Sequence, residues 1–66
     1  MDDISIEFDV FAYGDRSNTG RAVSIHPASG YVWVELDNGR ADYMSPDSIT
    51  AMSDDAAFRV ALRAAS

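Results

Sequence analysis

Apolar and polar residues alternate along the first segment of the chain. The apolar positions are Ile4, Ile6, Phe8, Val10 and Ala12, and the positions between them are Asp3, Ser5, Glu7, Asp9 and Phe11. A period of two residues is typical of a strand with one buried face and one solvent-exposed face. The pattern therefore predicts a half-buried strand over residues 3–12, with Phe11 and the carboxylates on its solvent side.

Two more strands are predicted in the middle of the chain, joined by a turn at residues 27–30. The first covers residues 21–26, with Val23 and Ile25 on its buried side, and it ends at Pro27 because proline lacks the backbone donor. The second covers residues 31–36. One of its faces carries Val32, Val34 and Leu36, and the other carries Tyr31, Trp33 and Glu35.

The Asp-Asn-Gly sequence at residues 37–39 predicts a hairpin, because Asn and Gly reach positive φ at little cost. A fourth strand then covers residues 40–44. A three-residue connection with Gly39 as a bulge would pair Trp33 with Tyr43 and Val32 with Met44. A two-residue Asn-Gly turn would instead pair Trp33 with Met44. We favour the first register because it places Met44 with the buried valines.

The last part of the chain predicts a short closing strand and a helix. Residues 45–48 favour a tight or 3₁₀ turn, and residues 49–52 favour a brief strand. Ser53 is the expected N-cap of a helix over residues 56–65, with Asp54 and Asp55 at its positive end. Its predicted apolar stripe is Ala57, Phe58, Ala61, Leu62 and Ala65, and Asp55 can pair with Arg59.

Residues 20–25 and 32–39, followed by Met44 and Ile49, resemble the SH3-like barrels of the Tudor and KOW type. Those families share a glycine-led strand, a V-x-V hairpin ending in glycine, and a helical turn before the last apolar strand. The fold class expected is mainly β: a small antiparallel SH3-like barrel or bent sheet of four to five strands with one C-terminal helix. One domain is expected over residues 1–66, with the β part at 1–52 and the helix at 53–65.

The resemblance also implies two kinds of binding site. Tudor-like domains often hold a methylated Lys or Arg in an aromatic cage, and the matching candidates are Tyr31, Trp33 and Tyr43, although the loop at residues 14–20 holds no aromatic residue. KOW-like domains meet RNA or ribosomal partners through basic loops. Here only Arg16, Arg21 and Arg40 stand near such loops.

Charge and composition narrow the classes of partner. The 66 residues include 11 Asp and Glu but 5 basic residues, all of them Arg, for a formal net charge of −6. Such a charge repels phosphate backbones, so direct nucleic-acid binding is disfavoured and a protein partner with a basic surface is favoured. The chain has no Cys, no long apolar run, and Asp2 and Asp3 where a signal peptide is positive. We therefore expect a soluble, unprocessed, cytoplasmic protein that does not enter membranes.

No residue cluster in the sequence prescribes a reaction. His26 is the single histidine, and it has neither a second metal-ligating partner nor a recognisable nucleophile arrangement, so a structural or surface role is expected. We predict no enzyme activity, no catalytic residue, no cofactor and no metal. The alternative is a tiny oligomeric enzyme of the kind seen in type II dihydrofolate reductases, whose SH3-like chains form one shared pore.

Three acidic residues, Asp3, Glu7 and Asp9, lie on the solvent side of the first predicted strand. Two strand residues span about 7 Å, which is close to the spacing of successive phosphates along a nucleic-acid strand. Such an acidic column can occupy a groove lined by Lys and Arg. The alternative is that the acids protect an edge strand from pairing with other chains.

The aromatic residues Tyr31, Trp33 and Tyr43, with Glu35 beside them, predict a second candidate surface. Exposed aromatic side chains are enriched at binding hot spots, so a partner or a second copy forming a homodimer can dock there. The alternative is that the C-terminal helix covers this face through Phe58 and Leu62.

Together these patterns give two hypotheses for function. The first is a small acidic protein-binding module, such as a phage or mobile-element inhibitor that blocks a basic nucleic-acid-binding site in the manner of anti-CRISPR or anti-restriction proteins. The second is a Tudor- or KOW-like adaptor that binds a peptide or RNA through the aromatic face.

Overall fold

A computed structural model describes residues 3–65, so Asp2 and the side chain of Ala65 lie outside the described part of the chain. Five antiparallel strands form a curled half-barrel, and one helix follows them. The predicted fold class is therefore confirmed. The elements in chain order are β1 (Ile4–Ala12), β2 (Thr19–Ile25), β3 (Val32–Leu36), β4 (Ala41–Met44), a 3₁₀ turn (Pro46–Ser48), β5 (Ile49–Ala51) and α1 (Asp55–Ala65).

The strands lie in the order β4-β3-β2-β1-β5, and the β3–β4 hairpin has the favoured register. Trp33 pairs with Tyr43 and Val32 with Met44. The three-residue connection is closed by a hydrogen bond of 2.7 Å from Leu36 N to Arg40 O, and Gly39 has a φ of 90°. The turn chemistry at residues 37–39 therefore sets which side chains share a face.

One side of the sheet, which we call the inner face, carries the core. The alternation predicted for β1 holds over residues 6–10 and at Ala12, because Val10 and Ala12 are fully buried and Ile6 and Phe8 pack against the core. The opposite side, the outer face, carries the residues between them. The alternation fails at Ile4, which was predicted on the buried side and is 39% exposed. The buried core cluster consists of Val10, Ala12, Ala22, Ile25, Val32, Val34, Met44, Ile49, Ala51 and Phe58.

The alternation predicted for β2 fails at Val23. Ala22 pairs with Val34 and Ser24 with Trp33, so the pairing with β3 skips Val23. This bulge places both Ala22 and Ile25 on the inner face, where both are fully buried, while Val23 is half-buried. The prediction that Val23 takes a core position was therefore wrong.

Phe11 was predicted on the solvent side of β1, but it is only 9% exposed. It lies on the outer side of the strand, between Thr19 of β2 and Thr50 of β5. The Arg16 guanidinium lies 5.3 Å from its ring centroid. The loop after β1 thus covers this ring, and a cation–π contact replaces the expected contact with water.

The helix begins at Asp55, one residue before the predicted range, and its cap lies one residue after Ser53. The Asp54 carbonyl accepts the first helical hydrogen bond, from Phe58 N at 3.0 Å, so Asp54 occupies the cap position predicted for Ser53. Asp54 also has a φ of 54°. This left-handed residue turns the chain out of β5 and into α1.

The helix packs on the inner face, against β1 and β5. Phe58 is buried with its ring centroid 5.3 Å from that of Phe8, and Ala61 and Leu62 are half-buried against the core. Ala57 is exposed, contrary to prediction, because successive helix residues are about 100° apart and the contact stripe is narrow. Among the described residues, no helix is long and apolar enough to cross a membrane.

Candidate binding face

The position of α1 leaves the aromatic residues of the outer face uncovered by the helix. Phe58 and Leu62 pack on the inner face, so the alternative in which they cover Trp33 was wrong. Tyr31 is 46% exposed and Tyr43 is 40% exposed, while Trp33 is half-buried. A partner can therefore reach these rings without displacing the helix.

Strand register brings the aromatic rings of neighbouring strands together. The Trp33 and Tyr43 centroids are 4.9 Å apart with the rings at 68°, the edge-to-face arrangement that aromatic pairs favour. His26 joins the same group, with its ring centroid 6.0 Å from that of Tyr43. We call His26, Tyr31, Trp33 and Tyr43 the aromatic cluster.

His26 was not predicted as part of this surface, although its position one residue beyond β2 and two residues after outward-facing Ser24 could have indicated it. Its Nδ1 accepts a hydrogen bond from Ser29 N at 3.3 Å and lies 3.2 Å from Ser29 Oγ. Tyr31 N in turn donates to Ser29 Oγ at 3.2 Å. These bonds shape a shallow cleft of about 230 Å³ lined by His26, Ser29, Tyr31 and Tyr43.

Two carboxylates lie at the edges of the aromatic cluster. The Tyr43 hydroxyl donates to Asp3 Oδ2 at 2.9 Å, and Trp33 Nε1 donates to Glu35 Oε2 at 3.4 Å. The hydrogen bond to Asp3 raises the pKa of Tyr43 above 10.0, and burial and the charge of Asp3 act in the same direction. The Tyr43 hydroxyl and the Trp33 N–H are thus paired with carboxylates, which place negative charge at the edges of these two rings.

The other two predicted acids of β1 lie beside a cation. Arg21 contacts Glu7 Oε1 at 3.2 Å and Asp9 Oδ1 at 3.6 Å. One guanidinium therefore serves two of the three carboxylates in the column formed by Asp3, Glu7 and Asp9. Exposed ion pairs of this kind contribute about 0–1 kcal/mol, so a partner's cations can exchange with Arg21 at small cost.

The outer face is negatively charged as a whole. Asp37, which accepts a hydrogen bond from Thr19 Oγ1, lies near Glu35 and Arg21 in a groove of about 560 Å³. Among the described residues, the outer face holds five carboxylates against the guanidinium groups of Arg21 and Arg16, a net charge of −3. The five are Asp3, Glu7, Asp9, Glu35 and Asp37.

Aromatic faces beside carboxylates attract cations and weakly hydrated guanidinium groups. Within residues 3–65, no group of three or more His, Asp or Glu side chains is placed to hold a metal ion.

The half-barrel is compatible with an SH3-like fold. Comparisons with protein-family models, with curated proteins and with solved structures give no match to the chain.

Proposed function

We propose that this chain is a non-catalytic binding module whose outer face holds a basic surface of a partner protein. The observation that carries the proposal is the aromatic cluster, with Tyr31 and Tyr43 exposed and with Asp3 and Glu35 bonded to its ring edges. An Arg or Lys side chain laid on these rings gains cation–π attraction and a nearby carboxylate together.

Charge favours a protein over a nucleic acid as the partner. A face of net charge −3 repels phosphates, whereas it attracts a surface rich in Lys and Arg and accelerates the encounter with it. The exposed rings then supply the desolvated contacts that fix the complex.

One class of basic partner is a protein whose own nucleic-acid-binding groove is blocked by this chain. The acidic column supports this inhibitor role, which we propose in the sense of anti-CRISPR or anti-restriction proteins. Glu7 and Asp9 are two residues apart on β1, which spans about 7 Å, and Asp3 lies four residues before Glu7, about 13 Å away along the same direction. With Arg21 between two of them, the column keeps a net charge of −2.

The second candidate is a Tudor- or KOW-like adaptor that binds a peptide or an RNA base through the aromatic cluster. The specific observation that favours it is the cleft of about 230 Å³ between the rings of Tyr31 and Tyr43. A cation or a base needs only ring faces for attraction and therefore does not need the acidic column.

The first test measures binding of a fluorescently labelled arginine-rich peptide and of a labelled single-stranded DNA by anisotropy. We expect the wild-type chain to bind the peptide and not the DNA. Trp33→Ala should weaken peptide binding about 30-fold, the size of effect typical of a Trp hot spot. Tyr13→Ala, which removes an exposed ring outside the aromatic cluster, is the matched control and should bind like the wild type.

A second set of variants separates the two candidate roles. The acidic column is neutralised by Asp3→Asn, Glu7→Gln and Asp9→Asn together, and the charge-matched control is Asp15→Asn, Asp47→Asn and Asp54→Asn. A loss confined to the column variant favours the inhibitor, and a loss confined to Trp33→Ala favours the adaptor. Equal binding by every variant would refute the proposal.

A further inference from the structure

Among the described residues, no strand pairs with the first half of β1 on the side where β5 pairs with its second half. β5 pairs with Val10, Phe11 and Ala12 of β1, and the last hydrogen bond on this side is from Met52 N to Asp9 O at 2.8 Å. After Met52 the chain turns away from β1. Beyond that bond, β1 continues for residues 4–8 with β2 on one side and no described strand on the other. The sheet therefore has a free edge about five residues long, collinear with β5.

The direction of the backbone groups at this edge follows from the hydrogen bonds next to it. Asp9 O accepts from Met52 N, and Tyr13 N donates to Ser48 O, so odd-numbered residues of β1 direct their backbone groups toward the β5 side. These directions alternate along a strand, so Glu7, next to Phe8, faces the free edge.

The register with β2 shifts between Ser5 and Phe8, so the direction at Ser5 follows from the pairs beyond the shift. His26 N donates to Tyr31 O on the β3 side, so Ile25 faces β1. Its partner Ile4 therefore faces β2, which leaves the N–H and C=O groups of Ser5 on the free edge. Ser5 and Glu7 are both exposed.

The side chains along the free edge differ between the two faces. On the inner face, Ile4 is 39% exposed and Ile6 is half-buried, so apolar surface remains open there. On the outer face, Glu7 lies on the free edge, and Asp3 and Asp9 lie just beyond its two ends. An added strand would therefore meet an apolar row on one side and a negative row on the other.

We propose that the free edge of β1 accepts an extended segment of a partner protein as an additional strand, on the same side of β1 as β5. The segment alternates apolar residues, which cover Ile4 and Ile6, with Arg or Lys residues, which pair across the strands with the carboxylates. This inference concerns a site other than the aromatic cluster and does not depend on it.

Charge complementarity selects this occupant over a second copy of the chain. Two β1 edges that pair with each other would place two acidic columns side by side, and like charges on neighbouring strands destabilise the pairing. A basic segment instead neutralises the column and can take over from Arg21 as the partner of Glu7.

The test uses a labelled synthetic peptide that alternates Val and Arg and is long enough to span residues 4–8. Ser5→Pro removes the outward N–H donor without a change in charge, and proline is tolerated on an edge strand. Ser5→Ala is the matched control. Both variants are made in a Trp33→Ala background, which removes arginine binding at the aromatic cluster. In this background we expect Ser5→Pro to lose affinity about tenfold or more relative to Ser5→Ala.

A second probe keeps the test independent of the folding of Ser5→Pro. The same peptide with alternate backbone amides N-methylated has the same charge but cannot form a strand ladder, so it should bind the wild-type chain about tenfold more weakly. Hydrogen exchange at the Ser5 and Glu7 amides should slow on binding of the unmodified peptide. Equal affinity of the two peptides, no binding of either, or a wild-type dimer that Ser5→Pro dissociates would overturn the inference.

Discussion

At Gly20, the backbone of β3 occupies the space that a side chain on β2 would need. A Cβ atom at this position would lie 2.5 Å from Glu35 O and 2.8 Å from Leu36 Cα. Both contacts are with backbone, which cannot rotate away as the end of a side chain can. The close approach of β2 and β3 therefore depends on this glycine.

Gly20→Ala should destabilise the protein by about 1–3 kcal/mol, because β3 must move away to admit the methyl group. Urea denaturation at neutral pH measures the change, and NMR shifts should concentrate at Glu35 and Leu36. Without the clash, Gly→Ala in an ordinary strand conformation stabilises by about 0.4–1 kcal/mol through the unfolded state. A gain in stability would therefore contradict the predicted close contact.

The hydrogen bond from Tyr43 to Asp3 should be visible in the titration of the phenol. The carboxylate raises the pKa of Tyr43, so Asp3→Asn should lower that pKa toward 10.0. Since the pKa is raised in the folded state, the stabilisation is complete below pH 10 and is lost as the pH rises through the folded-state pKa. NMR of the Tyr43 ring measures the pKa, and urea melts across this pH range should show a smaller alkaline loss of stability in Tyr43→Phe. Identical Tyr43 titrations in the wild type and in Asp3→Asn would show that the bond is not formed.

At the scale of the elements, the helix is attached to the sheet mainly by Phe58. This residue is buried against Phe8, whereas Val60 on the same helix is 61% exposed. The strands that α1 contacts most are β1 and β5. Removal of the Phe58 ring would thus open the core at the end that the helix closes.

Phe58→Ala should cost about 3–5 kcal/mol, a large part of the stability of a domain this small. Val60→Ala, the control in the same helix, should change stability by no more than about 0.5 kcal/mol. Circular dichroism during urea denaturation measures both. Similar midpoints for the two variants would show that Phe58 is not the residue that holds the helix.

Elements with local signals could be predicted from the sequence, and features that depend on neighbouring elements could not. Turn chemistry at residues 37–39 determines the β3–β4 register, and strict alternation predicts the two faces of β1. Near Val23 the register of β2 shifts against both β1 and β3, and such a shift depends on the pairing of all three strands and cannot be read from the residues of β2 alone. The burial of Phe11 likewise depends on a loop that folds over it.

At the scale of the whole molecule, the faces of the candidate site could be predicted but not its contacts. Alternation correctly placed Trp33 and Glu35 on the side opposite the core. The bond between Asp3 and Tyr43 joins residues 40 positions apart, and the bonds from Arg21 to β1 cross between strands. The chain passes from β5 to α1 through Asp54, whose left-handed φ the sequence pattern did not indicate.

Because the helix covers only the inner face, core packing and the proposed recognition draw on alternate residues of the same strands. Exposed substitutions away from special contacts typically change stability by less than about 0.5 kcal/mol. The outward-facing residues of β1 and β3 can therefore be substituted, and the partner changed, while the fold is kept. Rapid divergence of the outward positions, beside slow change of the inward ones, is the signature that such a division would leave among descendants of this chain.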